Sequence, residues 1–118
     1  MAQGRVIRLK VTIPSGATDS NIVQAWNTFG SSAGIILYSP SVLPETVKVK
    51  VSPGAPSDQT AVFYQLQDGT PLVDVTVPSS GTAIYMDRLV LSGSFKLVSS
   101  VAVAADRDFF ISFQSLYT

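Results

Sequence analysis

The side chains best able to do chemistry in this sequence are carboxylates, because the chain contains no histidine and no cysteine. A Ser-His-Asp triad, histidine base catalysis and thiol nucleophiles are therefore excluded, and so is the commonest zinc ligand. Carboxylate-pair catalysis stays open in principle, with four candidate aspartates: Asp74, Asp87, Asp106 and Asp108. Asp74 alternates with valines, as on the solvated face of a strand, so the sequence favours a protein that is not an enzyme.

The run Asp106-Arg107-Asp108 resembles part of a calcium loop, since two carboxylates alternate at the start of a strand. Calcium needs about six or more oxygen ligands, and no loop rich in Asp and Asn with a glycine turn accompanies this pair. A local ion pair or turn with Arg107 is the favoured interpretation. Phosphate loops and dinucleotide fingerprints are also missing. We predict no metal and no cofactor.

Aromatic side chains offer a second kind of site, because rings can stack on sugars. The candidates are Trp26, Tyr38, Tyr64 and Tyr85. Single aromatics scattered through apolar strands are more often core residues, and this is the favoured interpretation. A carbohydrate site stays open as an alternative.

The overall charge is balanced, with eight basic and eight acidic residues, so the electrostatic signature of nucleic-acid binding is missing. Only 14% of residues are charged, whereas 46% are apolar, which favours burial of surface against neighbouring subunits. The stretch Met1–Lys10 does not resemble a signal peptide, and no window reaches the roughly 20 apolar residues of a membrane span. We predict a soluble, unexported subunit of an assembly with no membrane partner.

Hydrophobic periodicity is close to two almost throughout, as in strands with one buried face. The clearest alternation lies in Ile7–Ile13, Val47–Val51 and Phe109–Phe113, the last of these within a strand predicted at Asp108–Ser115. Further strands are predicted at Ala61–Gln67, Leu72–Val77, Thr82–Met86, and Leu89–Leu91 or Ser94–Ser99. With Gly, Pro and Ser turns between them, about eight short strands predict an all-β fold, a single antiparallel β-sandwich of jelly-roll type. Residues 1–118 form one domain in this prediction.

Four local predictions are less regular. The apolar run Gly34–Tyr38 predicts a central strand with both faces covered. Asn21–Trp26 is ambiguous between a helical turn and a short strand, and a strand is preferred. Asp68-Gly69 predicts a tight hairpin turn, because glycine tolerates positive φ. The breaker stretch Ser52–Pro56 predicts a mobile surface loop.

The order of segments resembles a family of short tailed-bacteriophage structural proteins encoded among virion genes. The matching segments are Ser15–Asn21, Ala33–Pro40, Val47–Pro53, Tyr64–Gly69, Ser94–Ser100 and Ala104–Asp108. The chain departs from the family pattern at Pro53–Gln59, where a proline-containing loop replaces an Asp-Gly turn. The resemblance implies a virion component: a capsid decoration or cement protein bound to the major capsid protein, or a neck or tail accessory subunit. It also implies a location at the particle surface after assembly in the host cytoplasm.

Contact with other proteins is predicted at the first strand and at the proline-containing loop, because a terminal strand can pair with a neighbour's sheet and a loop can reach a shell. The predicted contact residues are Arg5, Ile7, Arg8, Leu9, Lys10, Pro53, Ala55 and Pro56. A homo-oligomer is expected, with a trimer preferred. The alternative from another class is a carbohydrate-binding or receptor-binding tail module.

Overall fold

The computed structural model describes residues 3–24, 35–52, 62–86 and 93–117. These ranges contain ten β-strands and no helix. The strands are β1 (Gln3–Ile13), β2 (Val23–Gln24), β3 (Ile35–Tyr38), β4 (Val47–Ser52), β5 (Tyr64–Gln65), β6 (Gln67–Asp68), β7 (Val73–Asp74), β8 (Ala83–Met86), β9 (Ser94–Ser99) and β10 (Arg107–Tyr117). The predicted all-β class is confirmed.

All the strand pairs are antiparallel, as predicted. The first sheet has the order β1-β10-β3-β8, the second has the order β2-β9-β4-β5, and β6 pairs with β7 alone. The longest pairing joins β1 to β10 over eleven residue pairs, from Gln3 opposite Tyr117 to Ile13 opposite Arg107. The two ends of the described chain therefore lie side by side in the first sheet.

One hydrophobic core contains residues from both four-stranded sheets. The first sheet contributes Val11, Ile13, Ile35, Leu37, Phe109, Ile111 and Phe113, the second contributes Val23, Val47, Val49, Phe95 and Leu97, and the connections add Val77 and Val103. Phe95 and Phe109 are the largest fully buried side chains. Burying a side chain of this size stabilises the fold by about 1.5–3 kcal/mol relative to leaving it exposed.

The period-two pattern correctly identifies the inward residues of the long strands. In β1, Val11 and Ile13 are fully buried, whereas Arg8 and Lys10 are exposed. The reason is that successive side chains of a strand point to opposite faces, so an alternating sequence can bury one complete face.

The prediction for β3 is wrong in one respect. The strand does lie in the interior of its sheet, between β10 and β8, but Ile36 is 44% exposed. Only the face with Ile35 and Leu37 is covered by the core. A continuous apolar run does not distinguish a strand buried on both faces from one with an exposed apolar face, because hydropathy carries no information about what lies outside the sheet.

The predicted hairpin at Asp68-Gly69 exists, but its turn is longer than predicted. Asp68 belongs to β6 and pairs with Val73, so the turn spans residues 69–72. Gly69 has a φ of +98°, and a Cβ there would lie 3.3 Å from the Pro71 carbonyl oxygen. Glycine is favoured here by the positive φ, as the Asp-Gly signal indicates, and a Cβ would also make a tight contact with the turn backbone.

The other strand predictions differ from the structure mainly at their ends. The short strand within Asn21–Trp26 is reduced to Val23–Gln24. The strand predicted at Thr82–Met86 is Ala83–Met86, and the last strand extends over Arg107–Tyr117. Leu89–Leu91, Trp26 and residues 53–61 lie outside the described residues.

Candidate functional site

The outer face of the first sheet carries the candidate site, which is formed by Arg8, Lys10, Ile36, Tyr38, Tyr85 and Phe110. Two cross-strand rows position these side chains. One row runs Arg8, Ser112, Ile36, Tyr85, and the other runs Lys10, Phe110, Tyr38, Ala83. Neighbouring strands lie about 4.8 Å apart, so each row of four residues is about 14 Å long, and the two rows lie about 7 Å apart. We call this surface the aromatic-basic face.

Phe110 is the centre of the aromatic-basic face. The guanidinium carbon of Arg8 lies 5.5 Å from the centroid of the Phe110 ring. The Tyr38 ring lies on the other side, with a centroid distance of 5.9 Å and an interplanar angle of 31°. A cation over an aromatic ring is stabilised by about 0.5–1 kcal/mol at exposed sites. The Arg8 contact places its charge beside the apolar surface of Phe110.

Tyr85 and Ile36 form the opposite end of this face and are much less covered. Tyr85 is 71% exposed and Ile36 44% exposed, although they are directly opposite each other in the β3–β8 pair. Tyrosine and arginine are enriched where protein interfaces carry most of their binding energy, because both combine a large contact area with polar groups. The face is chemically suited to binding another macromolecule.

The eight predicted contact residues fall into four groups, of which three lie in the described part of the structure. Arg8 and Lys10 are exposed on the aromatic-basic face, and Ile7 and Leu9 are half-buried and pack against the core. Arg5 pairs with Ser115 through β1. The remaining three, Pro53, Ala55 and Pro56, lie outside the described residues.

Sequence analysis missed Phe110 and Ile36 as surface residues. The signal for Phe110 was present, because Phe109, Ile111 and Phe113 form the buried alternation of β10 and place Phe110 on the other face. Tyr85 and Tyr64 were interpreted as core residues, but both are largely exposed. Exposure of an aromatic residue near a sheet edge depends on what packs beside it, so the strand pattern alone does not determine it.

Three of the four aspartates considered for chemistry are held in separate contacts, and the fourth, Asp87, lies outside the described residues. Asp106 accepts a hydrogen bond from the Ser15 amide at 2.7 Å, and Asp108 accepts one from the Thr12 hydroxyl at 2.8 Å. Of the two alternatives predicted for Arg107, a local ion pair or a turn, the ion pair is wrong, because Arg107 instead binds Glu45, with 2.7 Å between Nε and Oε1. Side chains pair across space once strands align, and β10 begins beside the connection that leads into β4. Among the described residues, no three acidic side chains are grouped as metal ligands would be.

The outer face of the second sheet has lysines whose charges are largely compensated. Lys48 binds Asp74 at 2.7 Å, and Lys96 binds Asp19 at 2.8 Å. Asp74, predicted on a solvated strand face, is therefore only partly exposed and is ion-paired. The hydrogen bond from Lys48, followed by that from Gln67, lowers the pKa of Asp74. The hydrogen bond from Lys96 lowers the pKa of Asp19.

The lowered pKa values of Asp19 and Asp74 lead us to expect a loss of folding stability in acid. Both have a folded-state pKa below the ordinary value of 3.8, so their stabilising effect is complete above that pH and is lost as the pH falls through the folded-state pKa. We expect the free energy of unfolding of the wild type to fall more between pH 6 and about pH 2.5 than that of the double variant Asp19→Asn/Asp74→Asn. The difference should be small, because exposed ion pairs contribute little.

Urea unfolding followed by tryptophan fluorescence across this pH range measures the effect. Asp68→Asn is the control, since Asp68 is an exposed carboxylate of the β6–β7 hairpin. Identical pH profiles for the wild type and the double variant would contradict the assigned role of the two ion pairs.

No protein-family model, curated protein or solved structure matches this chain. The resemblance to tailed-bacteriophage virion proteins therefore stays a prediction. Within residues 3–24, 35–52, 62–86 and 93–117, no helix is long and apolar enough to span a bilayer. The chain is an all-β protein with an exposed aromatic and basic sheet face.

Proposed function

We propose that this chain is a non-enzymatic structural protein of a bacteriophage particle, a capsid decoration or cement subunit that binds the shell through the aromatic-basic face. The single observation that carries the proposal is the combination of exposed Tyr85 and Ile36 with Arg8 on one sheet face. Such a face loses unfavourable water contact when a partner covers it. The major capsid protein is the proposed partner.

The fold is proposed to be a jelly-roll sandwich of eight strands with the β6–β7 hairpin inserted. Support comes from nested pairing, in which β1 pairs with β10, β2 with β9, β3 with β8, and β4 with β5. A long antiparallel ribbon wound around one core produces this order, and the β10–β3 and β9–β4 pairs then join the strands into two sheets. Jelly rolls are frequent in viral capsid and lectin domains.

The proposed mechanism is stabilisation by surface burial. A subunit that binds only the assembled shell adds its binding free energy to the assembled state alone. Symmetry repeats the same contact over many sites, so a modest affinity per copy becomes a large effect per particle. A trimer at the particle surface, assembled in the host cytoplasm, is the proposed form.

One observation favours a second candidate, a carbohydrate-binding or receptor-binding tail module. Tyr85 is 71% exposed, compared with 59% for Tyr64, and an exposed ring on a sheet can stack on a sugar. A neck or tail accessory subunit would use the same face for protein contact. Sugar binding and shell binding are separable by experiment.

We expect Tyr85→Ala to weaken binding to virus shells at least tenfold, because aromatic anchors commonly account for about 2 kcal/mol or more of an interface. Co-sedimentation with purified particles of the encoding phage, stripped of this chain, measures the affinity. Tyr64→Ala is the matched control, since Tyr64 is an exposed tyrosine of the second sheet.

Equal binding by the two variants, or no binding of the wild type to stripped particles, would contradict shell binding through this face. Titration of the wild type with mono- and oligosaccharides, followed by NMR shifts of the tyrosine rings, tests the second candidate. Saturable shifts at Tyr85 with no shell binding would favour the tail module.

A further inference from the structure

The β1 edge of the first sheet is the longest sheet edge in the described part of the chain. β1 has eleven residues and, among the described strands, pairs only with β10. The other edge strands are short, since β8 has four residues and β2 and β5 have two each. A long unpaired edge presents backbone donors and acceptors to which another strand can add.

A hydrogen bond at Thr12 shows which residues of β1 face outward. The Thr12 amide donates to the side-chain oxygen of Asn21 at 3.1 Å, away from β10. In an antiparallel strand, the amide and carbonyl of one residue point to the same side, and successive residues alternate between sides. Gly4, Val6, Arg8 and Lys10 therefore direct their backbone groups to the open edge.

Asn21 covers this edge only at its Thr12 end. Along residues 4–10, no other strand of the described ranges pairs with β1. Four residues with outward donors and acceptors are enough for a ladder with a strand of about seven residues. Within the described ranges, the edge is thus open from residue 4 to residue 10.

The side chains along the edge restrict what can bind there. Arg8 and Lys10 are exposed on the outer face, whereas Ile7 and Leu9 are only half-buried on the inner face. A second β1 strand would bring another Arg8 and Lys10 onto the same sheet face, where like charges opposite each other are destabilising. An added strand with outward acids and inward β-branched residues would neutralise the cations and cover Ile7 and Leu9.

We propose that the β1 edge, residues 4–10, binds an extended segment of a partner protein in which acidic residues alternate with β-branched apolar residues. This site goes beyond the proposed function, because it uses backbone groups of the edge and not the aromatic rings of the sheet face. Basic residues on an edge can also serve only to prevent aggregation, and in that case no such segment binds.

The probe is an acetylated nonapeptide that alternates Glu and Val, compared with one that alternates Lys and Val. Fluorescence anisotropy with the whole protein at low salt should give at least tenfold tighter binding of the Glu peptide. Amide hydrogen exchange measured by NMR should slow at Arg8 and Lys10 when the peptide binds. Arg8→Glu/Lys10→Glu should reverse the preference between the two peptides.

A matched pair of proline variants tests the geometry. Lys10→Pro removes an outward amide, so we expect the melting temperature to change little and Glu-peptide binding to fall at least tenfold. Leu9→Pro removes an amide that faces β10, so we expect it to lose the folded state.

Three peptide-binding results would overturn the proposal: no binding of the Glu peptide, equal binding by wild type and Lys10→Pro, or ring shifts at Tyr85 without slowed exchange at Arg8. The third of these would place the peptide on the aromatic-basic face, and so would leave the proposed function standing. Dimerisation of the wild type with slowed exchange at the same two amides would show that a second copy of the chain binds the edge in place of an acidic segment. This result would also overturn the proposal.

Discussion

Phe109→Ala is expected to lower the free energy of unfolding by about 3–5 kcal/mol, because a large side chain would be replaced by a cavity that the core can only partly close. Phe109 has no exposed surface and lies in β10, the strand that pairs with both β1 and β3. It is opposite Val11, which is also fully buried. Collapse around the cavity would require two paired strands to move.

Its neighbour Phe110 provides the matched control for this prediction. Phe110→Ala removes the same atoms from the half-buried outer face, so the expected loss is at most about half as large. Urea unfolding followed by circular dichroism measures both variants. Phe109→Leu keeps the measurement possible if the alanine variant fails to fold, and a smaller loss is expected. Equal losses for Phe109→Ala and Phe110→Ala would contradict the assignment of the two faces.

Arg107→Met is expected to lower the free energy of unfolding by about 1–3 kcal/mol, because it leaves the largely buried Glu45 carboxylate without its hydrogen-bond donor. The side chain of Glu45 is only 7% exposed, and Arg107 binds it at 2.7 Å. Without Arg107, the Glu45 carboxylate would remain buried without its cation. The pair joins the start of β10 in the first sheet to the connection before β4 in the second sheet, so its loss affects both sheets.

A double-mutant cycle measures this coupling. Arg107→Met/Glu45→Met should be more stable than Arg107→Met alone, because replacing both charges by apolar groups of similar size removes the uncompensated carboxylate. Lys48→Met is the control, since the Lys48–Asp74 pair is much more exposed and should matter far less. Additive effects of the Arg107 and Glu45 substitutions would show that the pair does not act as a unit.

The accuracy of the strand predictions depends on how local their signal is. β1, β4 and β10 were predicted well because alternation of apolar residues is contained within each segment. The prediction for β3 was wrong about its outer face, since exposure of Ile36 depends on what covers the sheet. The partner of Arg107 was also missed, because Glu45 is distant in sequence and meets it only when the sheets assemble.

The candidate site was predictable in part. Arg8 and Lys10 could be assigned to the exposed face of β1 from alternation alone, and they are exposed. Their aromatic neighbours could not be assigned, because cross-strand neighbours depend on strand order and register. Phe110 lies next to Lys10 only because β10 pairs with β1 in the observed register.

The all-β class, the inward residues of the long strands and the absence of histidine and cysteine chemistry can be read from the sequence. These properties follow from residue types and from a periodicity that acts over a few residues. The row formed by Arg8, Ile36 and Tyr85, and the direction of the Thr12 amide away from β10, become visible only in the folded chain. Both depend on which distant segments pair and in what register, and that choice is made by burial of the common core.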